Sequence, residues 1–427
     1  MAEGFCKICG GPHSTGECLA EEEEGKEDEG LKPETKEFFK KLKRPYTLED
    51  VKLAQEAFWA FEEMRRQEHA SYKLNKNSFY EFLVSGSLSP NALPEYAEQI
   101  KEKLEKEREP SPSDYEKLTV DFVRQWRENL IKNKEQVLQD RPGAKDIIAW
   151  LEKHPLPPNL SLEKLRNTFR QYPELAEFSA AVYQDLQEEG VTTGGFLHFH
   201  GHRHSGYQYE KPADEYRIYL NPPKEALPKL AQRFIELADQ EQTPFYFKLI
   251  DFSLPRLRKE DETRLDRMLF YADSETVVKI TKIIGEIRAE HPEWFEARPM
   301  LSLVAKPTEG VGLAASISES QRQKFGQETS FNDIRAKMLF DSWRDALGQI
   351  IHDHPEVRPR GGRTIKELFD DLSREHKEAS AEDTLSRMLS EVAPFLQSES
   401  LLPYVQDQIR KKAPEYGVDP NNLAFNK

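Results

Sequence analysis

Between residues 46 and 190 the apolar positions recur three and four apart. TLEDVKLAQEAFWAFEEMRRQ opens with Thr47 as N-cap and sets Val51, Ala54, Phe58, Phe61 and Met64 on one helical face. PNALPEYAEQIKEKLEKERE predicts a second helix. Residues 111–140 predict a longer one, with Leu118, Phe122, Trp126 and Leu130 four apart. GAKDIIAWLEKH and SLEKLRNTFRQYPELAEFSAAVYQDLQEEG complete this region, behind the proline-bearing joints REPSPSD and HPLPPN. The pattern then becomes strand-like. FLHFHGHRH, YQYE, YRIYLN, FYFKLIDF, RMLFYAD and LSLVAK predict strands. Helices over PPKEALPKLAQRFIELADQE and SETVVKITKIIGEIRAEHPEWF interrupt them, the second capped by Ser274. From Ser330 onward the chain is helical again, with a basic, flexible joint at 358–363. No internal repeat and no long heptad run occurs.

This order predicts an α+β fold: a mixed or antiparallel sheet with flanking helices, preceded by an all-α region. The expected divisions are residues 1–18, an acidic disordered linker at 19–45, a helical domain at 46–190, the α+β domain at 191–355 and a C-terminal helical extension at 356–427. The linker follows from LAEEEEGKEDEGLKPETK, which has no apolar period.

Charged groups sit inside the apolar blocks of the α+β region. Arg217, Lys248, Arg264, Asp266 and Lys306 lie in or beside strands, where an unpaired charge is costly. Five in consecutive elements point to a shared polar cleft. For Lys248 and Arg217 the alternative is a strand charge that reaches solvent at a sheet edge.

Composition narrows the function classes. The 427 residues allow two or three domains. A net charge of -15 argues against general binding to nucleic acid or anionic membranes. No apolar run approaches the roughly 20 residues that span a bilayer. MAEGFCKICGG has neither a basic n-region nor an apolar h-region, so no secretory signal is expected. The three cysteines all lie near the start, which fits a reducing cytoplasm rather than a disulfide framework.

Those cysteines form Cys6-x2-Cys9-x3-His13-x4-Cys18. Three thiolates and an imidazole suit a closed, structural tetrahedral Zn2+ site, and the glycines let a short loop wrap the ion; the alternative is a disordered tail with incidental cysteines. The spacing is similar to the zinc knuckle of retroviral nucleocapsid proteins, one residue shorter between Cys9 and His13. Zinc knuckles often bind single-stranded nucleic acid. Here only Phe5 and Lys7 supply aromatic or basic surface, so a docking or stability role fits at least as well.

His198, His200, His202 and His204 are spaced by two, which puts all four on one strand face about 6.5–7 Å apart. Three readings stay open: a solvated strand ending in a Gly turn, a phosphate or proton-transfer role, and a metal site.

The ordered blocks resemble the HopA-type effector family. They are Gly195-Phe196, Arg217 with Tyr219 and Asn221, Pro244-Phe245 with Phe247-Lys248, Arg264 and Asp266, Tyr271, Lys306, Gly310-Val-Gly312-Leu-Ala314 and Phe325-Gly326. The resemblance covers about 190–350. Two features depart from it: the histidine run stands where small residues or Asn are usual, and the Arg after Phe-Gly is delayed to Arg335. The resemblance implies an α+β fold. It also implies phosphoserine/phosphothreonine lyase chemistry on a peptide or protein, with no metal or cofactor in catalysis. Lys248 would be the base, and Arg217, Arg264 and Lys306 the phosphate cations. A histidine of the run, such as His200 or His202, would protonate the leaving phosphate. Asp266 would orient an arginine or be purely structural. The alternatives are a non-catalytic phosphopeptide-binding module and a secreted effector. The cysteine and histidine module at the N-terminus disfavours the latter, since such effectors usually start with a Ser-rich segment.

Overall fold

A computed structural model describes residues 32–42, 76–85, 107–108, 111–140, 145–172, 196–200, 215–252, 264–295, 303–308, 310–326, 329–356, 358, 363–375, 380, 383–385, 387–388, 398–420 and 422–426. The cysteine module, the acidic linker up to residue 31, the helices expected at 47–67 and 90–106, the YQYE strand, His202, His204 and most of the joint at 358–363 lie outside them.

The architecture is α+β. The helices among the described residues are α1 (Pro33–Leu42), α2 (Lys76–Ser85), α3 (Pro112–Lys132), α4 (Lys134–Asp140), α5 (Lys145–Lys153), α6 (Leu162–Gln171), α7 (Leu227–Gln240), α8 (Thr276–Glu290), α9 (Glu319–Phe325), α10 (Phe331–Asp353), α11 (Ile365–Glu375) and α12 (Ser398–Lys412). The strands are β1 (Phe196–His200), β2 (Tyr216–Leu220), β3 (Tyr246–Ile250), β4 (Met268–Ala272), β5 (Ala305–Thr308) and β6 (Val311–Ala315). They form an open sheet in the order β1-β3-β4-β2-β6-β5, and the pairs β1–β3, β3–β4 and β2–β4 are antiparallel. The chain divides into two compact units. One holds Leu104–Arg298 and Thr308–Gly312; the other holds Met1–Lys103, Pro299–Pro307 and Leu313–Lys427.

The unit built on Leu104–Arg298 buries one face of its strands under helices. Alternation puts Phe199, Phe247 and Phe270 on that face, in register as Phe199↔Phe247 and Phe247↔Phe270. Phe234 of α7 packs on Phe247 and Phe270 with centroids at 5.7 and 4.6 Å, and Phe122 of α3 meets Phe199 at 5.2 Å. Truncating such a ring costs about 3–5 kcal/mol, because its neighbours cannot close the space. Tyr115 of α3 ties down the end of β3 by donating its hydroxyl to the Ile250 carbonyl at 3.1 Å.

The long helix expected over 111–140 is two helices. Ser111 caps the first, with Pro112 in its first turn where a missing N–H costs nothing. Asn133 ends it, and α4 restarts one residue later. The cap of α8 also differs from expectation. Asp273, not Ser274, accepts the free N–H groups of Glu275 and Thr276, at 3.1 and 2.8 Å. A carboxylate one residue earlier reaches both donors and favours the positive end of the helix.

Behind β4 lies an ion pair that the local pattern does not announce. Arg267 is fully buried, and its Nη1 meets Glu107 Oε2 at 2.6 Å. The same guanidinium donates to the carbonyls of Pro222 and Arg264, at 3.1 and 3.2 Å. Phe252 lies under both Arg267 and Lys224, at 5.2 and 5.1 Å.

In the other unit, α2, α10 and α12 share an apolar core that includes Leu83, Met338, Trp343, Leu347, Val405 and Ile409. The capping box Ser330/Asp333 starts α10. The C-terminal residues return to this core. Gln321 donates to the carbonyls of Tyr416 and Gly417, and Arg335 donates to those of Leu423 and Phe425. Phe325 of the Phe-Gly block stacks on Tyr416 at 5.1 Å. The strand expected at LSLVAK begins only at Ala305, because Leu303 takes a positive φ of 61° and turns the chain first.

Candidate functional site

Residues on the second face of β1, β3, β4 and β2 follow from the same alternation. His200↔Tyr246, Tyr246↔Tyr271 and Tyr271↔Arg217 form one rung across four strands. His198↔Lys248 and Lys248↔Leu269 form the next. The helix-facing side of these strands is almost wholly apolar, so among the described side chains this face carries His198, Lys248 and Arg217 together.

Two clusters of contacts join on β3. In the first, Lys248 Nζ lies 4.2 Å from the Phe196 ring centroid, and the Arg264 guanidinium lies 5.4 Å from the same centroid. Asp266 accepts from Nε and Nη2 of Arg264, both at 2.8 Å, and is itself buried. This two-point grip fixes the plane of the guanidinium. In the second, Arg217 lies 5.1 Å from the Tyr271 centroid, Tyr271 stacks on Tyr246 at 4.7 Å, and Tyr246 stacks on His198 at 5.9 Å. The Tyr246 hydroxyl and His198 Nδ1 are hydrogen-bonded at 2.8 Å. Tyr246 and Lys248 are two residues apart on one strand, so the clusters are neighbours, about 6.5–7 Å apart along β3.

The electrostatics are set by burial and by cations. Burial, and then the Lys248 ammonium, hold His198 down at about 4, so its imidazole is neutral at physiological pH. Aromatic faces lie against Lys248, Arg264 and Arg217 and fix their positions. A group of cations held at fixed positions beside a neutral imidazole suits an anion with several oxygens.

The sequence-derived candidates are distributed as follows. Lys248, Arg217, Arg264 and Asp266 belong to this unit and are half-buried or buried. β3 and β2 are both interior strands, so Lys248 and Arg217 are not edge charges. His200 lies at the end of β1, opposite Tyr246. Lys306 is exposed on β5 and belongs to the other unit. His202 and the metal candidates Cys6, Cys9, His13 and Cys18 fall outside the described residues. Among the described residues no group of three or more His, Cys, Asp or Glu side chains is placed to hold a metal. No described helix is long and apolar enough to cross a membrane.

Sequence reasoning passed over Tyr246 and Phe196. The signal was there in part. Tyr246 and Lys248 flank Phe247, so any strand places them on one face. What joins Tyr246 to His198 is register, which no local pattern carries.

No family model matches the chain, and no curated protein matches it. Among solved structures it is similar to the effector protein from Pseudomonas syringae pv. tomato strain DC3000 at 12% identity and a TM-score of 0.35. That match covers 88% of this chain and 99% of the other. A likeness this loose carries neither fold nor chemistry across.

Proposed function

We propose that the cationic face of β1, β3, β4 and β2 binds the phosphate of a phosphoserine or phosphothreonine peptide or protein and eliminates it, leaving a dehydro residue. The observation that carries this reading is the pairing of Lys248 and Arg264 on one Phe196 ring, with Asp266 holding Arg264. The HopA-type resemblance, where such lyase chemistry is implied, supports it independently. In this reading Arg264 and Arg217 neutralise the phosphate. Lys248 takes the Cα proton as the general base. The proton for the leaving oxygen comes from the adjacent rung, where His200 and Tyr246 stand opposite each other. No metal or cofactor takes part. At the N-terminus, Cys6, Cys9, His13 and Cys18 bind one structural Zn2+ in the same proposal, and the chain works in the cytoplasm.

The test is incubation of the purified chain with a phosphothreonine peptide, read by mass. Loss of phosphoric acid from the peptide, abolished by Lys248→Met, is the expected result. A second reading, a phosphopeptide-binding module without chemistry, is favoured by the neutral state of His198, which removes one proton donor. Unchanged peptide that still binds, with binding lost in Arg217→Ala, would establish that second reading instead.

A further inference from the structure

We propose that Tyr246 is the acid that protonates the leaving phosphate oxygen, and that His198 is its positioning residue. The assignment deepens the elimination reading above and stands only if that chemistry occurs.

The geometry begins with the 2.8 Å bond between His198 Nδ1 and the Tyr246 hydroxyl. A neutral imidazole carries a single N–H, on one ring nitrogen or the other. With the hydrogen on Nδ1, His198 donates to the phenol oxygen. The phenol hydrogen is then directed away from the imidazole, and the phenolate formed on proton transfer keeps a donor. His198 is held in the neutral form by burial and by Lys248, so it carries one ring hydrogen across the physiological range, and in this proposal that hydrogen sits on Nδ1. Among the described residues, the groups that face the pair include Lys248 on the same strand, Tyr271 stacked on Tyr246, and Arg217 over Tyr271. The Arg217 guanidinium, and Lys248 once it has taken the Cα proton, favour a phenolate, which eases release of the phenol proton. Stacking on two sides, against His198 and Tyr271, fixes the ring.

The spacing suits the reaction. Tyr246 and Lys248 are next neighbours on one face of β3, with their Cα atoms about 6.5–7 Å apart. One group reaches the Cα proton, and the other the oxygen on Cβ of the same substrate residue, each across a single hydrogen bond. Lys248 takes the Cα proton, and the C–H electron pair becomes the Cα=Cβ bond. The Cβ–O bond breaks with its electrons on the phosphate oxygen, and the Tyr246 O–H proton goes to that oxygen. The extra proton on Lys248 returns through solvent to the Tyr246 phenolate, so the enzyme is unchanged.

The experiment measures elimination from a phosphothreonine peptide, and peptide binding separately, with the full chain. Tyr246→Phe is expected to bind the peptide as the wild type does and to lower kcat by about 10²–10⁴-fold. His198→Phe keeps a stacked ring but removes the donor, so the alkaline limb of the kcat profile moves to higher pH. Fluorotyrosine placed at position 246 preserves size and acidifies the phenol, so the same limb moves to lower pH. If the wild type eliminates phosphate while Tyr246→Phe keeps full rate, or the limb does not move with fluorotyrosine, Tyr246 is not the acid and the lyase reading survives. If the wild type eliminates nothing, both fall.

Discussion

Glu107→Ala removes the carboxylate that neutralises Arg267. Both side chains are almost wholly buried, at 4% and 0% exposure, and they meet at 2.6 Å. Breaking such a pair from one side leaves a guanidinium in the interior without its counter-charge, which costs about 3–5 kcal/mol, several times a surface ion pair. Glu107 Oε2 also accepts the Lys224 backbone N–H at 3.4 Å, so a second donor is left behind. The carbonyls of Pro222 and Arg264 remain as acceptors for Arg267 and offset part of the loss. The net expectation for Glu107→Ala is therefore about 3 kcal/mol, read by urea unfolding followed by circular dichroism. The double replacement Glu107→Leu with Arg267→Met should recover part of it, since two apolar groups of similar volume need no partner. Because Arg267 Nε holds the Arg264 carbonyl, Glu107→Ala should also weaken phosphopeptide binding while leaving the substituted residue far from the ligand. A loss below about 1 kcal/mol, the range of exposed pairs, would refute the claim that this pair is sealed from water.

Two further predictions rest on single features. His198 titrates at about 4 in the folded chain against 6.5 when free, so the unfolded chain binds more protons between those values. Stability then falls as pH drops from 6.5 towards 4, by up to about 3 kcal/mol from this group. Unfolding measured at pH 7.5 and pH 5 should show a smaller pH dependence in His198→Gln than in the wild type, and equal slopes would refute the account. Gly310 has φ +75°, and a Cβ there would lie 2.9 Å from the Phe295 carbonyl oxygen. Gly310→Ala should cost about 1–3 kcal/mol and lower the melting temperature; an unchanged transition would mean that the turn relaxes freely.

Much of the fold was readable from local pattern, and specific residues show where it stopped. Phe199, Phe247 and Phe270 alternate with polar or smaller residues, so the strands and their two faces were legible. α10 was legible from its period and from Ser330. The helix break at Asn133, the cap by Asp273 and the turn at Leu303 were not, because each is decided by one or two hydrogen bonds or a single backbone angle. The Phe325-Gly326 block belonged to the pattern that carries the resemblance. The structure gives Phe325 a packing role against Tyr416, 91 residues further on.

The sequence by itself determined which strand residues share a face. Tyr246 and Lys248 are two apart, as are His198 and His200, and alternation is a property of the backbone that needs no partner. It also put Arg264 within reach of Asp266, two residues on. Tertiary structure decided which of these faces meet. The placement of β3 between β1 and β4 brings Tyr246 against His198 and Tyr271, and Lys248 to the ring it shares with Arg264. It also brings Glu107 to Arg267 across 160 positions of chain. Period is fixed residue by residue by backbone geometry. Strand order and register are fixed by where large apolar groups such as Phe122 and Phe234 find cover, and that depends on the whole unit folding at once.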